Sequence, residues 1–220
     1  MAAYKKGTVF KKGRYRGEKL LIDGPAGKLQ VQTSYPQNFS PGQPLAVISH
    51  PHPVYGGNMT NKVVYNIARA FNEMGYAVIR YNFRGVEQSE GQYDNGIGEL
   101  EDLEAVTQFF TRRHPDSLIT LAGFSFGAYI TARAEAVLSP AGVLLVAPPV
   151  SMYDFNALTI GAKTWIVIQG GQDEIVDPQQ VSLWVENQEP APDYFYLDHA
   201  DHFFHGEMEW LRDVITSHWT

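Results

Sequence analysis

No cysteine occurs in the 220 residues of the chain. Disulfides, thiolate metal sites and a cysteine nucleophile are therefore excluded, and a reducing interior is permitted. Long hydrophobic runs are missing too. No stretch approaches the roughly 20 apolar residues of a membrane span, and the start, Met1-Ala2-Ala3-Tyr4-Lys5-Lys6, lacks the apolar core of a signal peptide. A soluble, cytoplasmic protein without a membrane partner is expected. Neither G-x-G-x-x-G nor G-x-x-x-x-G-K-[ST] stands at a strand-to-helix turn, so no nucleotide and no other cofactor is implied. Positive charge is in deficit: the net charge is −7, which opposes phosphate backbones and makes nucleic acid an unsuitable partner.

The charge is unevenly spread. Residues 1–20 carry Lys5, Lys6, Lys11, Lys12, Arg14, Arg16 and Lys19 against Glu18 alone, a net +6 that leaves −13 for the remainder. A solvated first strand is the simpler reading of this arm. The alternative is a docking segment for an acidic surface such as a second subunit, which would make a homodimer. There is no internal repeat, low-complexity tract or linker that would divide the chain. With 44% hydrophobic and 13% aromatic residues, residues 1–220 are expected to build one domain around a sizeable core.

Short apolar runs at Leu45–Ser49, Tyr76–Tyr81, Leu118–Ala122, Val143–Ala147, Thr164–Gln169 and Tyr194–Leu197 alternate with segments of helical periodicity. Such alternation predicts an α/β protein with a mostly parallel central sheet and helices on both faces. Val63, Val64, Ile67, Ala68, Phe71 and Met74 form one helical stripe that stops at Gly75, a suitable residue just beyond a helix end. Leu100, Leu103, Val106, Phe109 and Phe110 form another, with acids early and Arg112 and Arg113 late, as the helix dipole favours. Residues 7–35 alternate less regularly and are expected to enter the sheet antiparallel.

Within this pattern lies Gly123-Phe124-Ser125-Phe126-Gly127, with an apolar run before it and the alanine-rich Ala128–Leu138 after it. A serine between two glycines can occupy a sharp strand-to-helix turn that holds its hydroxyl out as a nucleophile, because a Cβ at either flank would collide with its neighbours. A serine hydroxyl needs a base, and the base needs an acid to fix its tautomer. In chains with such an elbow the acid and then the histidine follow the serine. Asp173 stands in the loop after the run Thr164–Gln169, where ligands gather in open α/β sheets. Its competitor Asp177 precedes Pro178 and suits a helix cap better.

The loop Asp198-His199-Ala200-Asp201-His202-Phe203-Phe204-His205-Gly206 offers three histidines. Its middle, His202, is favoured as the base, beside two phenylalanines that can exclude water. The same histidines with Asp198 and Asp201 are competent metal ligands, but the i, i+3, i+6 spacing would need a helix to align the rings, and no metal is expected. For an oxyanion, one donor is the backbone N–H of Phe126. The other must come from His50-Pro51-His52-Pro53-Val54-Tyr55-Gly56-Gly57-Asn58, where the prolines have no N–H; that points to His52.

These segments, together with Tyr81-Asn82-Phe83-Arg84-Gly85-Val86, Ser89-Glu90-Gly91 and Gly170–Val176, resemble the α/β-hydrolase superfamily, and within it a compact bacterial group without a large lid or cap domain. The resemblance spans about residues 45–210. It implies Ser125 as nucleophile, Asp173 as acid, His202 as base and hydrolysis of an acyl bond. Glu87 departs from it, since similar proteins often carry glycine there. The short segment between Val146 and Thr164 leaves little room for a lid, so an open apolar site lined by Tyr55, Phe124, Tyr153 and Phe203 is expected, taking a small-molecule acyl substrate. Cleavage of a small ester or thioester is the favoured reading. An amidase or peptidase with the same triad, or a binding module on a hydrolase scaffold, are the alternatives.

Overall fold

The structure, a computed structural model, describes residues 8–12 and 15–220, with side chains from Tyr15 onward. The parallel part of the sheet follows from residues apolar on both faces. In β4 (Leu45–Ser49), β5 (Ala77–Tyr81) and β7 (Gly142–Val146) every residue is buried, and β6 (Ile119–Phe124) and β8 (Thr164–Gly170) expose little of their first residue only. Strands covered on both sides carry continuous apolar runs of this kind. Side-chain direction alternates along them. Ala46, Ile48, Ala122, Phe124, Leu144, Val146, Ile166 and Ile168 face one core, while Leu45, Val47, Leu121, Val143, Leu145 and Val167 face the other side.

Two helices cover the first face: α1 (Lys62–Glu73), through Val63, Val64, Ile67 and Phe71, and α5 (Met208–His218), through Leu211, Val214 and Ile215. The second face packs against α2 (Ile97–Arg113), α3 (Phe126–Leu138) and α4 (Pro178–Glu186). Helix α1 stops where expected: Gly75 takes φ +91, which only glycine adopts without strain, and its N–H reaches the Asn72 carbonyl. Asn61 caps its other end by accepting from the N–H groups of Val63 and Val64.

With β1 at Thr8–Lys12, β2 at Tyr15–Gly24, β3 at Gly27–Pro36 and β9 at Asp193–Leu197, the strand order is β1-β2-β3-β5-β4-β6-β7-β8-β9. The first three strands form the antiparallel entry and join β5 antiparallel, whereas β5 through β9 run parallel. Of the basic arm, Lys5, Lys6 and Arg14 lie outside the described residues. Among the described residues no helix is long and apolar enough to cross a membrane.

The chain leaves β4 toward β5 on one side and returns past β4 to β6 on the other. The loops after β4 and β6 thus diverge from adjacent strands, paired up to Ser49 opposite Gly123. Ligands bind at such a switch point in open α/β sheets, because diverging loops leave a crevice there.

Candidate active site

Ser125 stands between the end of β6 and the first turn of α3 with φ 54 and ψ −121, angles that an L residue adopts only under constraint. The constraint is visible in its neighbours. A Cβ on Gly123 would lie 2.1 Å from the Gly127 carbonyl oxygen, and one on Gly127 would lie 2.4 Å from that of Ser49. Both glycines are therefore needed so that α3 can start directly above the strand ends. The Ser125 N–H is tied to the Val146 carbonyl of β7 at 2.9 Å.

Two distant loops bring their groups to this serine. The β8–α4 loop carries Asp173, and the β9–α5 loop carries His202. His202 Nδ1 lies 2.7 Å from Asp173 Oδ2, and His202 Nε2 lies 3.2 Å from Ser125 Oγ. The carboxylate is heavily engaged: Oδ1 accepts from the N–H groups of Ile175 and Val176, and Oδ2 also accepts from Gln169 Nε2. With a carboxylate at Nδ1, that nitrogen carries the ring proton and leaves the Nε2 lone pair toward the serine hydroxyl. The imidazole is 2% exposed, its face against Phe124 at 4.9 Å and its edge against Phe203 at 5.0 Å. A hydroxyl, an imidazole and a carboxylate in this order can move one proton off the serine while holding the resulting charge in place.

The remaining acidic and histidine residues of these loops make local contacts. Asp177 caps α4 by accepting from the Gln179 N–H. His199 faces Glu207 and His205 faces Asp201, so the three histidines engage three different carboxylates. Among the described residues no group of three such side chains converges on one point.

Ser125 opens into a cleft of about 390 Å³. Tyr55, Tyr153 and Phe203 line it, together with His52, Phe126 and His202. Phe124 does not. It is fully buried under the His202 ring, because it is the last residue of β6 and the pleat turns its side chain into the core shared with α1 and α5. In its place Pro149, Met152 and Ile175 supply apolar surface, and Asn61 a polar edge. Met152 and Ile175 stand on loops whose course no periodicity encodes. Phe126 begins α3, so its N–H has no preceding helical carbonyl to bind. Among the described residues the His52 N–H is likewise without a hydrogen-bond acceptor.

A family model described as serine aminopeptidase, S33, matches residues 52–166, more than half of the chain. The chain belongs to this family of α/β hydrolases. An uncharacterized protein of Rickettsia prowazekii is 36% identical to this hydrolase over 211 residues, covering 90% of this chain and 87% of that one. A solved α/β serine hydrolase without a lid, from Xanthomonas campestris, is 39% identical with a TM-score of 0.88 over 94% of each chain. An α/β serine hydrolase homologue from Coxiella burnetii is 40% identical, also with a TM-score of 0.88, over 92% of this chain and 97% of that one. The hydrolase thus falls in the compact, lidless group.

Two buried polar residues of the hydrolase escaped the sequence analysis. Gln169, enclosed at the end of β8, orients Asp173; a glutamine closing an apolar strand run was the available signal. His50 is fully enclosed at the end of β4, and its burial holds the imidazole down at about 3. An unfolded histidine titrates near 6.5. Between those values the unfolded chain binds a proton that the native protein refuses, so this residue's contribution to stability is lost as pH falls from about 6.5 toward 3. Its limiting slope is one proton, about 1.4 kcal/mol per pH unit. Urea midpoints measured from pH 7 to pH 4 are expected to fall less steeply in His50→Asn than in the wild type, a comparison that cancels the other titrating groups. Parallel slopes would contradict this.

Glu87 takes φ +51, in the left-handed region that favours glycine. Glu87 thus stands, where similar proteins often carry glycine, at a backbone angle that costs a residue with a Cβ.

Proposed function

We propose that this serine hydrolase cleaves small acyl esters or thioesters, with Ser125 as nucleophile, His202 as general base and then general acid, and Asp173 holding the imidazole. The carrying observation is the pair of contacts from Ser125 Oγ to His202 Nε2 and from His202 Nδ1 to Asp173, set at the floor of an apolar cleft. In the first half-reaction Ser125 Oγ bonds to the acyl carbon as His202 takes its proton. The backbone N–H groups of Phe126 and His52 receive the oxyanion. Collapse expels the alcohol or thiol, protonated by His202, and leaves an acyl-enzyme. Water, deprotonated by His202, then adds to the acyl carbon, and the acid departs as Ser125 regains its proton.

The family description raises a second reading, an aminopeptidase using the same groups. Such an enzyme must hold a substrate ammonium, which calls for a carboxylate at the cleft wall. The cleft is lined by residues such as Pro51, His52, Tyr55, Asn61, Met152 and Ile175, and among the described residues that line it there is no Asp or Glu. Uncharged walls favour a neutral ester.

The cleft's modest volume, about 390 Å³, favours short acyl chains. On p-nitrophenyl esters, kcat/KM is expected to be at least tenfold higher for C2 to C4 than for C12; the reverse order would exclude the short-acyl assignment. The reaction class itself is tested by a fluorophosphonate on the native protein, read by intact mass and peptide mapping. One adduct, on Ser125, supports the triad. No adduct in folded protein would return the chain to the binding-module reading.

A further inference from the structure

His50 lies outside the relay of Ser125, His202 and Asp173, yet both of its ring nitrogens are committed. Nε2 accepts from the Phe83 N–H at 3.0 Å, in the segment following β5, and Nδ1 donates to the carbonyl oxygen of Pro51 at 2.6 Å. The ring is fully buried, with its centroid 4.6 Å from that of Phe83, which meets it edge-on. An acceptor bond at Nε2 requires the proton on Nδ1, so the direction of both bonds is set by one tautomer.

The Pro51 carbonyl and the His52 N–H belong to the same planar peptide, where they point in opposite directions. Holding the oxygen therefore aims the N–H. Donation to the oxygen also polarises the peptide and makes its N–H a stronger donor. The surroundings confine the same unit. A Cβ on Gly57 would lie 2.1 Å from the Pro51 oxygen and 2.6 Å from the His52 oxygen, so the chain at Gly57 presses directly on this peptide. The His52 carbonyl in turn accepts from the N–H groups of Tyr55 and Gly57. Pro51 and Pro53 have no N–H, and the Val54 N–H is turned to the His52 ring. Among the described residues from 51 to 54, the His52 N–H alone is left without an acceptor, on a residue that lines the cleft.

We propose that His50 is a positioning residue for the oxyanion site: through its Nδ1–H bond to the Pro51 carbonyl it aims the His52 N–H at the oxyanion formed on attack by Ser125. The proposal rests on the hydrolytic reading given above. Because an oxyanion exists only along the reaction path, the effect falls on kcat and spares KM.

The test uses the geometry of two amides. An asparagine amide nitrogen stands about where histidine Nδ1 stands, and a glutamine amide oxygen about where Nε2 stands. His50→Asn therefore keeps the donor to Pro51 and loses the acceptor for Phe83, whereas His50→Gln does the opposite. On p-nitrophenyl butyrate, His50→Gln is expected to lose 10- to 100-fold in kcat, with KM within twofold of the wild type and a matching fall in the rate of fluorophosphonate labelling. His50→Asn is expected to retain kcat within about fivefold. Equal kcat losses in the two variants at equal urea midpoints, or a loss confined to KM, would reduce His50 to a packing residue. A measurement on the wild type covers the case in which His50→Gln does not fold. Long-range ¹H–¹⁵N spectra between pH 5 and 8 are expected to show one histidine locked in the Nδ1–H tautomer whose signals vanish in His50→Asn; the Nε2–H tautomer would overturn the proposal. Absence of labelling and turnover in the wild type would instead sink the hydrolytic reading.

Discussion

Ser125→Ala is expected to lower kcat on p-nitrophenyl acetate by roughly 10⁴-fold or more, the scale on which loss of the nucleophile disables a serine triad. Among the described residues, the substitution removes the one hydroxyl hydrogen-bonded to His202 Nε2. The phenols of Tyr55 and Tyr153 also line the cleft, but among the described residues neither is hydrogen-bonded to His202, so neither has a base to activate it. Alanine keeps the Cβ and therefore the strained angles at position 125, so the change in stability should stay within about 1 kcal/mol. Turnover, adduct mass and urea midpoint measured on one preparation separate these effects. Substantial turnover in Ser125→Ala, or an adduct that persists on another residue, would remove Ser125 from the mechanism.

Asp173→Asn is the more instructive change, since it preserves shape and alters only which atoms donate. Two backbone N–H groups, those of Ile175 and Val176, point at Oδ1, so the amide must place its oxygen there. Its NH₂ then occupies the Oδ2 position, facing His202 Nδ1 and Gln169 Nε2, both of which were donors to the carboxylate. Gln169 can adapt by rotating its amide, which turns its Oε1, without a partner among the described residues, toward the new NH₂ and gives up the Nε2 bond to the Gly170 carbonyl. His202 adapts only by moving its proton to Nε2, which then cannot accept the serine proton. A kcat loss of about 10⁴ is expected, with the fold retained and KM little changed, in line with the effect of a wrong tautomer in other serine hydrolases. A loss below tenfold would show that the carboxylate does not set the tautomer.

The fold was legible where side-chain periodicity and chain punctuation agree. The apolar runs 45–49 and 164–169 became β4 and β8 because a strand buried on both faces has no polar positions to obscure it. Helix α1 was readable from Val63, Ile67 and Phe71 and from its stop at Gly75. Ser125 was readable because its backbone angles admit few flanking residues, and Gly123 and Gly127 mark that restriction in the chain itself. Phe124 was misplaced because the pattern around a turn does not say which way the last strand residue points; the pleat of β6 decides that. Gln169 and His50 were missed for another reason. A buried polar side chain is explained only by its partners, and those of His50 are Pro51 beside it and Phe83, 33 residues away.

What the sequence determined alone was therefore local or repetitive: the alternation of strands and helices, the absence of cysteine chemistry, the glycine-flanked turn at Ser125, and an aspartate and a histidine each placed after a strand. Those features depend on φ/ψ preferences and burial periodicity within a few residues, and neighbouring residues encode them directly. Only the tertiary structure decided which histidine faces the serine, which aromatic side chains reach the cleft, and how Gln169 and His50 hold the groups around it. The meeting of His202 with Asp173 and Ser125 joins residues 29 and 77 apart in the chain, and with the cleft lining it depends on strand order and loop course, where contact is a property of the assembled sheet and has no local sequence signature.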